Sequence, residues 1–299
     1  MAYLYKSANS YFKETFGFKV YKLALDAGMT CPNRDGKLDT RGCIFCSSGG
    51  SGDFAQKECS NINLQIEKAK NRLKGKYAGE KFIAYYQSYT NTYASIERLR
   101  EVFYPAIMHP EIVALSIATR PDCLPHDVLE LIRELNNIKP VIIELGLQTI
   151  HEESAQLIRR GYETHVYDEA VHNLHKIGVH IITHMILGLP YETPEMMIKT
   201  AKHIGDVGSQ GVKLQLLHVL KNTDLEKLYS SKAFETLSKN EYIRILCDCV
   251  LSLPEKTVLH RITGDAPKAS LIAPLWSTDK KRVLQEIRDA FKENDILFV

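Results

Sequence analysis

From Val20 to Leu217, strand-like apolar runs repeatedly end in polar clusters and give way to amphipathic helices. No other feature limits the possible folds as much. Ile112 to Ala118 runs into Thr119-Arg120-Pro121-Asp122, and Val128, Leu131, Ile132 and Leu135 follow at helical spacing. Val141 to Leu145 ends in Gly146-Leu147-Gln148-Thr149, before Tyr167, Ala170, Val171, Leu174 and Ile177 mark a helix closed by Gly178. Lys81 to Tyr86, Val179 to Leu187 and Val212 to Leu217 read as further strands. Thr193 and Pro194 look like the cap and first position of a helix, and the helix through Ile96, Leu99, Val102 and Phe103 is expected to stop near Pro105. Strands alternating with helices call for a parallel sheet of βαβ units, and continuous apolar strands imply that both faces are covered. In such folds chemistry sits at the C-terminal ends of the strands, which is where the polar clusters fall.

A chain of 299 residues, 44% hydrophobic and 25% charged, can bury a full core as one large barrel or two smaller domains. A formal charge of +2 argues neither for nor against a polyanionic partner. Seven unevenly spaced cysteines do not suit a secreted disulfide framework, and Met1 to Lys6 lacks a basic segment followed by an apolar run. The expected compartment is therefore the reducing cytoplasm. No linker or internal repeat is evident, so one domain is expected, residues 1–217, with a C-terminal extension over 218–299 packed on it.

Behind the first strand-like run, Val20 to Leu25, lies Cys31, then Cys43-Ile44-Phe45-Cys46, in a loop turned by Pro32, Gly36 and Gly42. Thiolates suit zinc or iron–sulfur clusters. Closed structural zinc sites and fully protein-ligated clusters normally use four protein ligands, whereas three leave an open position. Two readings follow: a three-cysteine [4Fe–4S] cluster with an open iron, or a zinc site completed by Cys59. Cys123, Cys247 and Cys249 read as inert buried thiols. Ile62, Ile66, Ala69 and Leu73 define a helix that Ser60 could cap, with a basic strip from Lys68 to Lys76 that is either a solvated face or a phosphate contact.

The cysteine loop with Phe45 before its last cysteine resembles the cluster loop of radical S-adenosylmethionine (SAM) enzymes. The commonest spacing there is C-x3-C-x2-C. The longer first gap here is similar to the branch containing the Elongator catalytic subunit, which modifies tRNA wobble uridine. Thr119-Arg120-Pro121-Asp122, Glu144-Leu145-Gly146-Leu147-Gln148-Thr149, Arg159-Arg160-Gly161 and His184-Met185-Ile186-Leu187-Gly188-Leu189-Pro190 resemble that branch too. The Glu-x-Gly-x-Gln and Gly-Leu-Pro pieces are also similar to oxygen-independent coproporphyrinogen oxidases. The resemblance implies a partial (β/α)6 TIM-type barrel. Its cofactors would be one [4Fe–4S] cluster, held by Cys31, Cys43 and Cys46, and SAM on the open iron. One electron, from a donor such as flavodoxin or ferredoxin, would cleave SAM to methionine and a 5′-deoxyadenosyl radical.

Carried over by motif, Gln148 and Arg160 match SAM-contacting positions. Ser88 and Tyr89 occupy the turn that is Gly-Gly-Glu in relatives, Ala118 stands where a Glu is common, and His184 replaces an Asp. Glu144 and His184 are polar in apolar strands, so they either face the cofactor or satisfy each other in the interior. Tyr85, Tyr86 and Tyr89 could stack on a base or pack as core, and Asp265 could contact substrate or make a turn. The expected substrate is tRNA at a modified wobble-uridine side chain. A small molecule such as a tetrapyrrole and a non-catalytic zinc-stabilised nucleic-acid-binding protein are the alternatives.

Overall fold

The computed structural model describes residues 3–50, 52–58, 61–73 and 79–298. Six strands carry the predicted βα units: β2 (Tyr21–Leu25), β3 (Phe82–Tyr86), β4 (Ile112–Thr119), β5 (Val141–Gln148), β6 (His180–Leu187) and β7 (Gly211–Leu216). They pair in chain order, every pair parallel, as the core of a partial (β/α)6 TIM-type barrel. Three further strands extend this sheet beyond β7. They are β1 (Tyr3–Ser7), β9 (Val258–Arg261) and β11 (Ile296–Phe298), in the order β7-β9-β1-β11. Strands after residue 217 thus continue the same sheet, whose edges, β2 and β11, do not pair with each other among the described residues. A small antiparallel pair, β8 (Val219–Leu220) with β10 (Leu271–Ala273), lies apart from it.

Helices cover the outer face: α2 (Ile62–Asn71), α3 (Ile96–Met108), α4 (His126–Asn136), α6 (Thr164–Ile177), α7 (Pro194–Asp206), α9 (Lys239–Ser252) and α10 (Lys280–Glu293) each bury one apolar stripe against the main core. Local chemistry fixes their ends. Ser95 and Thr193 cap α3 and α7, Pro194 opens α7, a Ser238–Glu241 capping box opens α9, and Gly178 closes α6 in the left-handed region at φ 80°. The helix expected to stop near Pro105 runs on to Met108. Proline removes one backbone bond there, but the stripe Leu99, Val102, Phe103 continues into fully buried Ala106 and Ile107, which offsets the loss. Asn61 caps α2; Ser60, the expected cap, lies outside the described residues.

The inner face is layered by strand parity. At the N-terminal end, Val20, Ile83, Ala114, Ile142 and Ile182 form an apolar layer with Phe12. Phe12 comes from α1 (Ala8–Phe16), whose Ala8, Tyr11 and Phe16 also pack there, so this helix plugs the bottom of the open barrel. Two residues further along each strand the side chains become Tyr85, Ser116, Glu144 and His184. No helix among the described residues is long and apolar enough to cross a membrane.

Candidate active site

A cavity of about 540 Å³ opens above that second layer, at the C-terminal ends of the strands. Its roof is the cysteine loop. Cys31, Cys43 and Cys46 all line it, with Tyr89, Gln148 and Arg120 among the walls and Glu144, His184 and Lys213 at the floor. The eleven residues between the first two cysteines fold back on themselves through Leu38 N–H to the Pro32 carbonyl (2.8 Å) and Gly42 N–H to the Asn33 carbonyl (2.7 Å). Gly42 takes φ 77°, and a Cβ there would sit 2.8 Å from the Arg34 guanidinium, which itself donates to the Cys46 and Ser47 carbonyls. Asn33 donates from its amide to the Arg159 carbonyl (2.6 Å) and towards the Cys43 sulfur (3.5 Å), tying the loop to the barrel. The Cys43 thiol is drawn below its ordinary value by the Cys46 thiol beside it and, against burial, by Arg120, Asn33 and Arg34.

The three sulfurs do not all lie within 4.8 Å of one another. Zinc–sulfur bonds of about 2.3 Å hold ligand sulfurs about 3.8 Å apart. Among the described residues, the only triad of metal-ligating types within 4.8 Å is Glu67, His109 and Glu111, far in sequence from the loop. There the Lys70 ammonium already bridges the two carboxylates. Cys59, the proposed fourth zinc ligand, lies outside the described residues.

On the floor, Glu144 accepts at one oxygen from Lys22 and from Ser116 (2.8 Å), and at the other from Lys213 and from His184 Nε2 (2.7 Å). Burial works against its charge, but Lys213, then Lys22 and His184, hold the carboxyl well below the usual range. Desolvation and the Lys213 ammonium outweigh Glu144 and bring His184 down to about 4, so the imidazole is neutral at pH 7. Its Nε2–H donates to Glu144, which leaves Nδ1 to accept from Gln215 (3.4 Å). Glu144 and His184 thus both satisfy each other and border the cavity.

The other residues singled out in the sequence separate into wall and support. Gln148 sits at a β-bulge with φ 69°, and its buried amide oxygen has no partner among the described residues. Tyr89, at φ 59°, packs against Gly50 and donates to the Ser48 carbonyl. Ser88 is not in the cavity wall; its hydroxyl is buried against Gly52. Arg160 borders the cavity but spends its donors on the Leu147, Thr149 and Tyr162 carbonyls, Glu152 and Thr164, so it braces the segment after β5. The ring of Tyr162 lies between the Arg120 and Arg160 guanidiniums, at 5.0 and 4.7 Å, and its hydroxyl donates to the Gly146 carbonyl. Sequence reasoning missed Lys22, Ser116, Tyr162, Lys213 and Gln215. A signal for Lys213 and Gln215 was available, because they alternate with Val212, Leu214 and Leu216 as polar residues in an apolar strand.

Residues 40–204 match the family model of the radical SAM superfamily, and residues 209–293 match the radical SAM C-terminal domain. The chain belongs to the radical SAM superfamily. It is 45% identical to the Bacillus subtilis (strain 168) protein YtqA over 95% of this chain and 88% of that one. A tRNA uridine(34) acetyltransferase of Methanocaldococcus infernus is 26% identical over 54% of this chain, which spans 30% of the relative. The solved archaeal Elp3 of Methanocaldococcus infernus superposes with a TM-score of 0.69 at 20% identity, covering 92% of this chain and 63% of the other. That likeness confirms the fold expected from the sequence. The chain is a radical SAM enzyme, and the cofactors of the superfamily are a [4Fe–4S] cluster and SAM. The residues present suit them: three thiols converge on one cavity, one is activated, and an unpartnered buried amide faces the same space.

Proposed function

We propose that this radical SAM enzyme modifies the side chain of a tRNA wobble uridine. The observation that carries the substrate class is the similarity to a tRNA uridine(34) acetyltransferase over half of the chain. Cys31, Cys43 and Cys46 would hold the cluster, and Gln148, Tyr89, Glu144 and His184 would bound the space for SAM, with Ser88 and Arg160 supporting the turns behind it. When bound, the pair supplies reductive cleavage of SAM to methionine and a 5′-deoxyadenosyl radical, which takes hydrogen from a substrate carbon. The protein's own contribution is enclosure. The Phe12 layer packs across the barrel from below, so substrate would enter from the C-terminal ends of the strands. Arg34, Asn33 and Gly42 keep the three thiols on one face of that opening. The electron would come from a flavodoxin or ferredoxin in the cytoplasm, where tRNA also resides.

The test is nucleoside analysis of tRNA from a strain lacking the gene. The expected result is a wobble uridine whose side chain stops short of its mature form and is restored by the wild-type gene but not by Cys43→Ala. An unchanged nucleoside profile refutes the tRNA reading and returns the small-molecule class.

A further inference from the structure

The floor of the cavity holds one charge too many. Glu144 carries a single negative charge, yet it receives two ammonium groups, Lys22 and Lys213. The groups facing Lys213 are Glu144 from β5, Lys22 from β2, Tyr85 from β3, His184 from β6, and Arg261 and His260 from β9, the last held well below its ordinary value by burial and so neutral. Arg261 has Asp265 at 3.7 Å, and that carboxylate also pairs with Lys280, so it offers nothing to the floor. With His184 neutral, one ammonium stays uncompensated in a buried layer, which is costly. The surplus falls on Lys213. It is the more deeply buried of the two, with 8% of its side chain exposed against 20% for Lys22. Lys213 also borders the cavity, where it can meet a substrate.

We propose that Lys213 is a catalytic acid–base group of this cavity, passing a proton directly between its side-chain nitrogen and the substrate. In the forward step the N–H bond of the ammonium breaks, its electron pair stays on Lys213, and the proton goes to a lone pair on a substrate nitrogen or oxygen. The floor left behind is a neutral amine beside a Glu144–Lys22 pair of zero net charge, so the buried layer becomes easier to sustain. Water reaching the open cavity returns the proton in the next turnover, and no further reactant is needed. Burial first, then the charges of Lys22 and Arg261, outweigh Glu144 and bring the amine down to about 7, where both protonation states are populated at neutral pH. The Tyr85 hydroxyl, 3.2 Å from the Lys213 nitrogen, holds the amine in place in either state. The inference rests on this cavity being the substrate site, and not on the substrate being tRNA.

The experiment uses the reconstituted full chain in two arms. In the first, Lys213→Arg and Lys213→Gln are assayed against wild type with SAM, dithionite and tRNA from the deletion strain. Arginine keeps the charge but cannot release the proton, while glutamine leaves Glu144 with Lys22, Ser116 and His184, so the layer can still fold. Both variants are expected to lose about 100-fold or more in turnover. Full activity in Lys213→Arg overturns the proposal, because a fixed charge would then suffice. In the second arm, acetic anhydride labelling of wild type is followed by mass spectrometry from pH 5 to 11. Half-maximal labelling of Lys213 is expected near pH 7, against about 10.4 for exposed lysines. A midpoint near 10 overturns the proposal. If wild type does not turn over the tRNA, the tRNA reading fails and the labelling arm alone decides the role of Lys213.

Discussion

Replacing Glu144 with glutamine keeps the shape of the floor and removes the charge at its centre. The amide can accept at one end only, and its NH2 faces donors already placed by Lys22 and Ser116 or by Lys213 and His184. Taking away one partner of a buried ion pair costs about 3–5 kcal/mol, because the other charge is left uncompensated. With an unfolding entropy of about 2.1 cal/mol/K per residue over 299 residues, that loss lowers Tm by roughly 5–8 °C. The loss should depend on pH, and Lys213 sets the sign. Its folded value lies near 7, below the ordinary 10.5, so the unfolded chain binds more protons between those limits and stability rises with pH across that window. Without Glu144, whose charge raises the Lys213 value, the amine gives up its proton at still lower pH. The part of the loss owed to Lys213 is therefore complete in acid and gone once pH passes 7. His184, at about 4, stays neutral throughout and does not confuse the comparison. Urea unfolding of wild type and Glu144→Gln at pH 5.5 and 8.5 measures this, with the m-value as a check that the unfolded states match. A loss under about 1 kcal/mol at pH 5.5, or an equal loss at both pH values, would refute the account of a buried, over-charged layer.

Two further outcomes are expected. Cys43→Ala abolishes the brown chromophore and 5′-deoxyadenosine formation after anaerobic reconstitution, whereas Cys59→Ala retains both; a colourless Cys59→Ala protein would restore the four-thiolate reading. Phe12→Ala lowers stability by about 3–5 kcal/mol in urea unfolding, because Phe12 packs in the inner layer with Val20, Ile83 and Ile142; a loss under 1 kcal/mol would show that α1 does not seal the barrel.

Much of the barrel could be read from the sequence because each βα unit carries its own signals. Thr193-Pro194 opens a helix, Gly178 ends one, and Ile112 to Ala118 is apolar except at Ser116 because both of its faces are covered. The cysteine loop was legible for the same reason: its ligands and turns are contiguous. What stayed hidden was whatever depends on distant pairing. Tyr3–Ser7 and Ile296–Phe298 are short, and nothing local in them shows that they pair with each other, or that Tyr3–Ser7 also joins Val258–Arg261 to extend the sheet. Nothing local marks the helix Ala8–Phe16 as a plug, and the open barrel end gives Phe12 its place. Nothing local marks Lys22 as part of the charged floor, because its partner Glu144 lies 122 positions away.

The order of the interior layers explains why the charged floor can exist at all. A strand turns every second residue inward, so the interior can change from apolar to charged over a single two-residue step. Ile83, Ala114, Ile142 and Ile182 give way to Tyr85, Ser116, Glu144 and His184 within that step. The next step reaches Gln87, Ala118, Gly146 and Ile186, which surround the cavity beneath the thiols. A charged layer between an apolar plug and a cavity is desolvated from one side only. Its groups are held by neighbours on adjacent strands, yet Lys213 keeps one face towards the space where substrate must lie. Had the α1 plug been absent, water from below would have shielded Lys213 and returned it towards ordinary lysine behaviour. The helix that the sequence reading passed over is therefore part of what tunes the site, and removing its aromatic face should shift the Lys213 labelling midpoint upward.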